Sequence, residues 1–306
     1  MKIISGTRID FIGKRYFYFV LSSALIIAGL VSVIIKGGFL AGIDFGGGYL
    51  YQVNLTPPVP MSDVRNIISS AIGGSFELQN LVGSQDEHDI IIRVRKGDKS
   101  TEEIKDAIES KIKEFSPGTA VRWDRVEYVG PVVGKYLKKQ AVFAITFSLL
   151  GIIIYVGFRF KSLIWGAAGV IALAHDVWIV LGLFSIFNKE ITLTVIAALL
   201  TLAGYSINDT IVIFDRIREN LRLRPREPLE SVINVSINET LSRTIITSLT
   251  VFFVVLSLYL FGGAVLKDFS FALLVGVVVG TYSSVCVASP IVYEWNKRRQ
   301  SSQSRR

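Results

Sequence analysis

Residues Ile191–Phe214 read ITLTVIAALLTLAGYSINDTIVIF, a long apolar segment that contains a single carboxylate, Asp209. At about 1.5 Å per residue of helix, the segment is long enough to cross the roughly 30 Å hydrocarbon core of a bilayer. An ionised Asp in hydrocarbon costs roughly 3 kcal/mol or more, so a chain keeps one when it is paired, hydrated or protonated. The segment therefore predicts a membrane helix, with Asp209 as a candidate proton-relay or ion site.

Five further apolar segments accompany this one. The chain has 306 residues, of which 51% are hydrophobic, and its mean hydropathy is +0.50. These values exclude an ordinary soluble domain and are typical of a polytopic membrane protein. The predicted membrane helices are residues 16–35, 139–158, 162–187, 191–215, 244–262 and 269–295. We therefore expect an α-helical membrane protein with six transmembrane helices.

The positive charge of the chain is distributed unevenly. The formal net charge is +8, and most Lys and Arg residues outside the long first loop fall on one side if the six segments alternate. This positive-inside pattern predicts that the N-terminus (1–15), the 216–243 connection and the tail (296–306) are cytoplasmic. The 216–243 connection is also predicted to contain a short amphipathic helix. The asymmetry accounts for the net charge, so no nucleic-acid partner is expected.

The loop between the first two predicted membrane helices, residues 36–138, is long enough to be a domain. Its successive segments read as strand (GGGYLYQVNL), helix (SDVRNIISSAIG), strand (SFELQNLV), strand (HDIIIRVRKG), helix (STEEIKDAIESKIKEF) and strand (TAVRWDRVEYVG). Ser100 and Glu103 have the capping-box spacing that begins a helix. The β-α-β-β-α-β order predicts an α+β ferredoxin-like domain, which the charge asymmetry places on the outer side of the membrane, the periplasmic side in a bacterial inner membrane.

Polar residues around Asp209 lie on one face of the fourth predicted helix. Thr201, Tyr205 and Asp209 recur at i, i+4 and i+8, and such a face is expected to look into the bundle rather than at lipid. Asp209 is either a relay or ion site, or a hydrogen-bonded anchor between helices. Arg243, where the fifth helix enters the membrane, is the candidate counter-charge. Alternatively, Arg243 extends to the headgroups or pairs with Glu239 one turn earlier.

His175 and Asp176 lie near the middle of the third predicted helix. A second carboxylate next to an imidazole, which titrates near neutral pH, favours a proton relay. The alternative is a buried hydrogen-bonded pair. Counting residues from the predicted helix ends places Asp176 roughly two or three turns deeper than Asp209. A relay between the two carboxylates would then need water.

The segment Gly42–Gly48 reads GIDFGGG and follows the first membrane helix. Three consecutive glycines do not hold regular structure well, so this segment is a flexible joint or an unusual turn. We predict that Gly46, Gly47 and Gly48, together with Asp44, form the hinge of the following domain. The chain has two His and one Cys, without metal-ligand spacing or a nucleophilic triad, so no cofactor, metal or hydrolytic chemistry is expected.

These motifs together resemble the SecF subunits of the SecD/SecF family of protein-export membrane proteins. The resemblance extends over nearly the whole chain. The motifs that carry it are GIDFGGG (42–48), ALAHDV (172–177), GYSINDTIVIFDRIREN (204–220), NETLSRTIITS (238–248) and YLFGGAVLKDFSFALLVGVVVGTYSS (259–284).

The resemblance implies membership of the resistance–nodulation–division superfamily, in which two similar six-helix halves form the transporter. Here SecD would supply the other half, and the pair would associate with the SecYEG channel and the SecA motor in the bacterial inner membrane. It implies that the proton-motive force promotes late translocation of unfolded polypeptide, with the proton-responsive carboxylate at Asp209 and an important arginine at Arg243. The family gives no equally firm role to His175 or Asp176.

Two other functions and one question about the coupling ion stay open. The chain could be half of a proton antiporter for small molecules or lipids, or a passive scaffold of the translocation complex. The residues do not distinguish H⁺ from Na⁺ as the coupling ion. Protons, membrane lipids and a polypeptide substrate are the other expected partners.

Overall fold

The computed structural model describes residues 7–73, 76–80, 89–94, 100–160 and 162–303. It contains ten α-helices and four β-strands among these residues. The helices are α1 (Arg15–Ile35), α2 (Ile43–Gly46), α3 (Met61–Ile72), α4 (Thr101–Phe115), α5 (Pro131–Phe160), α6 (Leu163–Ile186), α7 (Leu193–Leu223), α8 (Leu229–Phe261), α9 (Gly263–Ser283) and α10 (Ser289–Gln303). The strands are β1 (Gly48–Thr56), β2 (Phe76–Asn80), β3 (Asp89–Val94) and β4 (Ala120–Val129).

Six helices of the described residues are long and apolar enough to cross a membrane. They are α1, α5, α6, α7, α8 and the rod in which α9 continues through a π-helical turn, Ser284–Ala288, into α10. This confirms the expected multi-pass helical membrane protein. The apolar windows of α6, α7 and the α9–α10 rod are at least half buried inside the bundle, whereas those of α1 and α5 are largely exposed.

Small residues allow the helices to approach closely at two crossings. A Cβ on Gly29 of α1 would lie 2.7 Å from the backbone of Gly182 in α6, so only glycine fits at this crossing. A Cβ on Gly276 of α9 would lie 2.6 Å from the side chain of Leu202 in α7. Membrane helices gain dispersion energy from such close contact because lipid offers no hydrophobic driving force. These crossings fix α1 and α9 against the two helices that carry the buried carboxylates.

The connection predicted at 216–243 is much shorter in the structure. α7 continues to Leu223 and α8 begins at Leu229, so the predicted separate amphipathic helix is instead the first part of α8. Its apolar face, which includes Val232 and Ile233, is buried against the bundle. The helical period of that face runs directly into the membrane segment, and no residue interrupts it. The second and sixth membrane helices likewise begin earlier than predicted, at Pro131 and Gly263.

A small α+β unit is inserted between α1 and α5. Its four strands form a sheet of order β2-β3-β1-β4 with antiparallel neighbours, and α3 and α4 pack against it over an apolar core. The element order is the predicted β-α-β-β-α-β. The Ser100 hydroxyl accepts the Glu103 N–H at 3.3 Å and the Glu103 carboxylate accepts the Ser100 N–H at 3.0 Å, which confirms the capping box. Parts of the second and third predicted strands lie outside the described residues.

Candidate functional site

Asp209 lies on α7 in a buried position, with 5% of its surface exposed. Its Oδ2 atom is fully buried and has no hydrogen-bond partner among the residues that the structure describes. One turn earlier, the Tyr205 hydroxyl donates to Ser248 Oγ of α8 at 3.0 Å, and Ser248 Oγ lies 2.6 Å from Thr281 Oγ1 of α9. Asp209 therefore faces the contact between α7, α8 and α9. Its carboxylate brings a buried acceptor without a donor to this contact, and the buried Thr244 hydroxyl of α8 is likewise without a partner among the described residues.

Arg243 lies on α8 and is exposed. No carboxylate of the described residues is within 4.0 Å of its guanidinium, although its charge is close enough to act on Asp209. The alternative prediction that Arg243 pairs with Glu239 is wrong. The Glu239 carboxylate instead accepts from Arg216 at 2.7 Å and from Asn220 at 2.8 Å, both on α7. The structure thus places Arg243 near Asp209 without an ion pair between them.

Asp176 lies on α6 and is completely buried. Its Oδ1 is 2.9 Å from Nδ1 of the neighbouring His175. Its Oδ2 accepts from Ser206 Oγ of α7 at 2.5 Å and from Ser283 Oγ of α9 at 2.8 Å. A single carboxylate thus joins three membrane helices, and both of its oxygens have partners.

The network around Asp176 extends to α1 through His175. Its Nε2 is 3.0 Å from Ser22 Oγ, which lies 3.1 Å from the Tyr282 hydroxyl. That hydroxyl donates to the backbone carbonyl of Tyr18 at 2.9 Å. Ser22, Tyr282 and Ser283 were not among the site residues predicted from the sequence. The only signal for them was the presence of hydroxyl groups inside apolar segments, which is common in membrane helices.

The depth predicted for Asp176 relative to Asp209 was wrong. Asp176 contacts Ser206, which precedes Asp209 by three residues, or about 4.5 Å along the helix axis. The counting failed because α7 continues to Leu223, well past the apolar segment from which the depth was counted. The two carboxylates are therefore close to the same level. Ser206 contacts α6 and α9, whereas Tyr205 contacts α8.

The glycine segment is partly fixed to the bundle. Asp44, on α2, accepts the Leu193 N–H at 2.8 Å in the first turn of α7. The Gly42 N–H donates to the Ile191 carbonyl at 2.9 Å. Gly46 ends α2, and Gly47 and Gly48 have φ values of +70° and +138°, which favour glycine. The segment is thus an unusual turn as far as Gly46, and a hinge at Gly47 and Gly48 stays a prediction.

Residues 107–298 match the family described as "Protein export membrane protein SecD/SecF, C-terminal". The chain belongs to the SecD/SecF family. Among its curated relatives is the protein translocase subunit SecF of Endomicrobium trichonymphae, which is 45% identical over 97% of this chain and 96% of that protein. The subunit of the same name from Escherichia coli O157:H7 is 41% identical over 95% of this chain and 89% of that protein.

Two solved structures of family proteins have the same fold. The crystal structure of SecDF from Thermus thermophilus, titled a translocon-associated membrane protein, has a TM-score of 0.84 and is 36% identical over 97% of this chain. A super-membrane-facing form of SecDF has a TM-score of 0.71 at 35% identity. The present chain spans 40% of each SecDF chain. Each of those SecDF chains is therefore more than twice as long as the part that this chain matches.

Proposed function

We propose that this chain works with a SecD-type partner and uses the proton-motive force to promote late stages of polypeptide export across the bacterial inner membrane. Family membership and the SecF names of its relatives support the export role. The SecD-type partner would supply the part of the longer SecDF chain that this chain does not match. The SecYEG channel and the SecA motor are the transient partners, and an unfolded polypeptide is the substrate.

The observation that carries the proton coupling is the buried, unpartnered Oδ2 of Asp209 beside the charge of Arg243. A buried acceptor without a donor costs roughly 1–3 kcal/mol, and more when the group is charged. Protonation of Asp209 removes its charge without breaking a hydrogen bond at Oδ2.

In the proposed cycle, Arg243 turns toward ionised Asp209. A proton that enters from the periplasm then neutralises Asp209, and Arg243 is released. The contact between α7 and α8 then shifts, and the proton leaves to the cytoplasm, where both chain termini lie. A membrane potential of 100 mV supplies about 2.3 kcal/mol per charge moved. This energy biases a two-state movement by about fiftyfold. The same site could take Na⁺, so the coupling ion is tested below.

Movement would reach the α+β unit, which we propose is a ferredoxin-like domain in the periplasm, through α7 and α2. The hydrogen bond from Leu193 to Asp44 connects the first turn of α7, the helix that carries Asp209, to α2. Asp44 then acts as the fixed side of the joint, and Gly47 and Gly48 act as the moving side. The domain would alter its hold on the exported chain about these two glycines.

His175 and Asp176 contribute to the coupling in this proposal by positioning α7 and α9. Every oxygen of Asp176 has a partner, and one of the partners, Ser206, lies three residues from Asp209. A shift of α7 relative to α6 or α9 would therefore strain this hydrogen-bond network. Preserving it would keep α6, α7 and α9 together while α8 moves.

The experiment that tests the function uses inverted inner-membrane vesicles from cells that lack this chain or have it restored. After ATP-driven initiation, export of a secretory protein is followed with and without a proton gradient, and with ionophores selective for H⁺ or Na⁺. We expect that restoring the chain adds an export step that only the H⁺ ionophore abolishes. A scaffold would support export equally with and without a gradient. An antiporter half would leave export unchanged in both preparations.

A further inference from the structure

A cavity of about 690 Å³ lies between α1 and α10 at the end of the bundle far from the α+β unit. Its size falls within the roughly 300–1,000 Å³ of ordinary ligand sites. The lining residues used below are Tyr16 and Phe19 of α1, and Ile291, Trp295, Arg298 and Arg299 of α10. The four α10 residues recur at i, i+4, i+7 and i+8, so they lie on one face of the helix.

The chemistry of this cavity changes in a fixed order with depth. Phe19 of α1 lies about 4.5 Å deeper than Tyr16, and on α10 the path from Ile291 to Arg299 covers about 12 Å outward. The wall is therefore apolar in its deep part, aromatic next, and cationic at the outer end. Acyl chain, glycerol backbone and phosphate follow one another in the same order in a phospholipid. Aromatic rings prefer the headgroup level of a membrane protein.

The wall contains one acidic side chain, Glu294, whose charge is compensated. Its Oε1 lies 2.6 Å from Nε of Arg15, and both side chains are largely buried. The Arg15 guanidinium also lies 4.5 Å from the centre of the Tyr16 ring, which holds it in this position. Arg298 and Arg299 add two guanidinium groups at the outer end, so the side chains that line the wall include two arginines and one glutamate. The cavity therefore has net positive charge at its outer end.

We infer that this cavity binds one anionic glycerophospholipid of the surrounding leaflet. Its phosphate lies against Arg298 and Arg299, and its acyl chains pass Trp295 and reach Phe19 and Ile291. Basic pockets between membrane helices bind anionic headgroups in this way. The site is separate from Asp209 and does not depend on proton coupling.

The test measures lipid binding to the full chain by native mass spectrometry in detergent, with phosphatidylglycerol or phosphatidylcholine added. Arg299→Gln is compared with Lys297→Gln, which removes the same charge from the same helix outside the cavity. We expect Arg299→Gln to weaken binding of the first phosphatidylglycerol about fivefold, and Lys297→Gln to change it less than about twofold. Phosphatidylcholine binding is expected to change with neither variant.

Two outcomes of this test would overturn the inference. Equal losses in Arg299→Gln and Lys297→Gln would show a general basic surface instead of a site. Inorganic phosphate that binds the lipid-free protein in an Arg299-dependent manner, with an affinity equal to that of phosphatidylglycerol, would show an anion site that needs no lipid.

A second measurement does not depend on the arginine variant. Brominated acyl chains quench tryptophan fluorescence on contact, and the part due to Trp295 is the difference between the wild type and Trp295→Phe. We expect the Trp295 fluorescence to be quenched more by brominated phosphatidylglycerol than by brominated phosphatidylcholine when the bilayer contains equal amounts of either lipid. Equal quenching by the two lipids would overturn the inference.

Discussion

Two carboxylates lie at nearly the same depth of the bundle but differ in the hydrogen-bond partners of their oxygens. Asp176 is completely buried, and its oxygens contact His175, Ser206 and Ser283 on α6, α7 and α9. Asp209 is also buried, yet no described residue is a hydrogen-bond partner of its Oδ2. The first carboxylate therefore has partners on both oxygens, whereas the second has one buried oxygen without a partner in the described part of the chain.

The difference shows that two buried carboxylates of one membrane protein can have very different hydrogen-bond partners. Moving Asp176 would break contacts with two other helices, so its network resists movement and holds the helices together. Protonating Asp209 breaks no hydrogen bond at Oδ2 within the described residues, and Arg243, whose charge acts on Asp209, forms no ion pair with another described carboxylate. The partners of each oxygen therefore separate an anchor from a candidate switch.

The largest expected effect is on stability, at the fixed carboxylate. Asp176→Ala removes contacts with His175, Ser206 and Ser283, and we expect it to lower the free energy of unfolding by about 3 kcal/mol, since hydrogen bonds between membrane helices contribute up to roughly 1.7 kcal/mol each. Unfolding of the purified chain in detergent measures this loss. Asp209→Ala is the matched variant and is expected to cost less than about 1 kcal/mol. Equal losses would remove the contrast between the two residues.

The second effect concerns coupling at Asp209. Asp209→Asn keeps the shape of the side chain and removes its ability to ionise, so we expect loss of the gradient-driven part of export, a drive of about 2.3 kcal/mol per charge at 100 mV. Export from inverted vesicles, with and without a proton gradient, measures it. Asp215→Asn serves as the control and is expected to keep gradient-driven export. Asp215 lies on the same helix, and its carboxylate forms an ion pair of 2.5 Å with Arg159. Gradient-driven export that survives in Asp209→Asn would make Asp209 an anchor.

A third carboxylate, Asp44, extends the comparison to the joint of the α+β unit. Asp44→Ala removes the acceptor of the Leu193 N–H, and we expect a loss of about 1 kcal/mol in the local stability of the first turn of α7, as for other helix caps. Hydrogen exchange of amides near Leu193 measures it. Asp44→Asn keeps an acceptor oxygen and is expected to protect these amides nearly as well as the wild type. Exchange near Leu193 that is the same in Asp44→Ala as in the wild type would mean that Asp44 does not hold α2 to α7.

The smallest effect is expected outside the membrane segments, at Glu109 of α4. Hydrogen bonds from Lys113 and Trp123 hold the pKa of Glu109 below its usual value. A lowered folded-state pKa means that this stabilisation is present above the unfolded-state pKa and is lost as pH falls through the folded-state pKa. The side chain is partly exposed, so we expect less than about 0.5 kcal/mol.

The pH dependence at Glu109 is measured by Trp123 fluorescence during unfolding at neutral and at acid pH. Glu109→Gln cannot ionise, so it should lack the acid-dependent part of the stability. An unchanged acid dependence in this variant would assign the effect to another group.

The sequence predicted what local periodicity determines. The six apolar segments and the β-α-β-β-α-β order follow from hydrophobic spacing and from the capping box at Ser100, and these elements are present in the structure. The contacts between helices were not predictable in the same way. The depth of Asp176 depended on how far α7 extends past its apolar segment, which local hydropathy does not report.

The candidate site was predicted in part. Asp209 was found because a lone carboxylate in an apolar segment is costly, and Arg243 because it lies at a membrane boundary. Ser22, Tyr282 and Ser283 were missed because a hydroxyl in a membrane helix often bonds to its own backbone, so its presence alone indicates no partner. Their role appears only when α1, α6 and α9 are brought together.

The most direct test of the account is infrared difference spectroscopy of the full chain with its SecD-type partner in membranes, recorded between acid and neutral pH. Protonated carboxyl groups give a C=O stretching band that disappears on ionisation. We predict that Asp209→Asn removes a band that titrates in the wild type and that Asp176→Asn leaves this band in place. Loss of the band in Asp176→Asn, with the band unchanged in Asp209→Asn, would contradict the assignment of the two carboxylates.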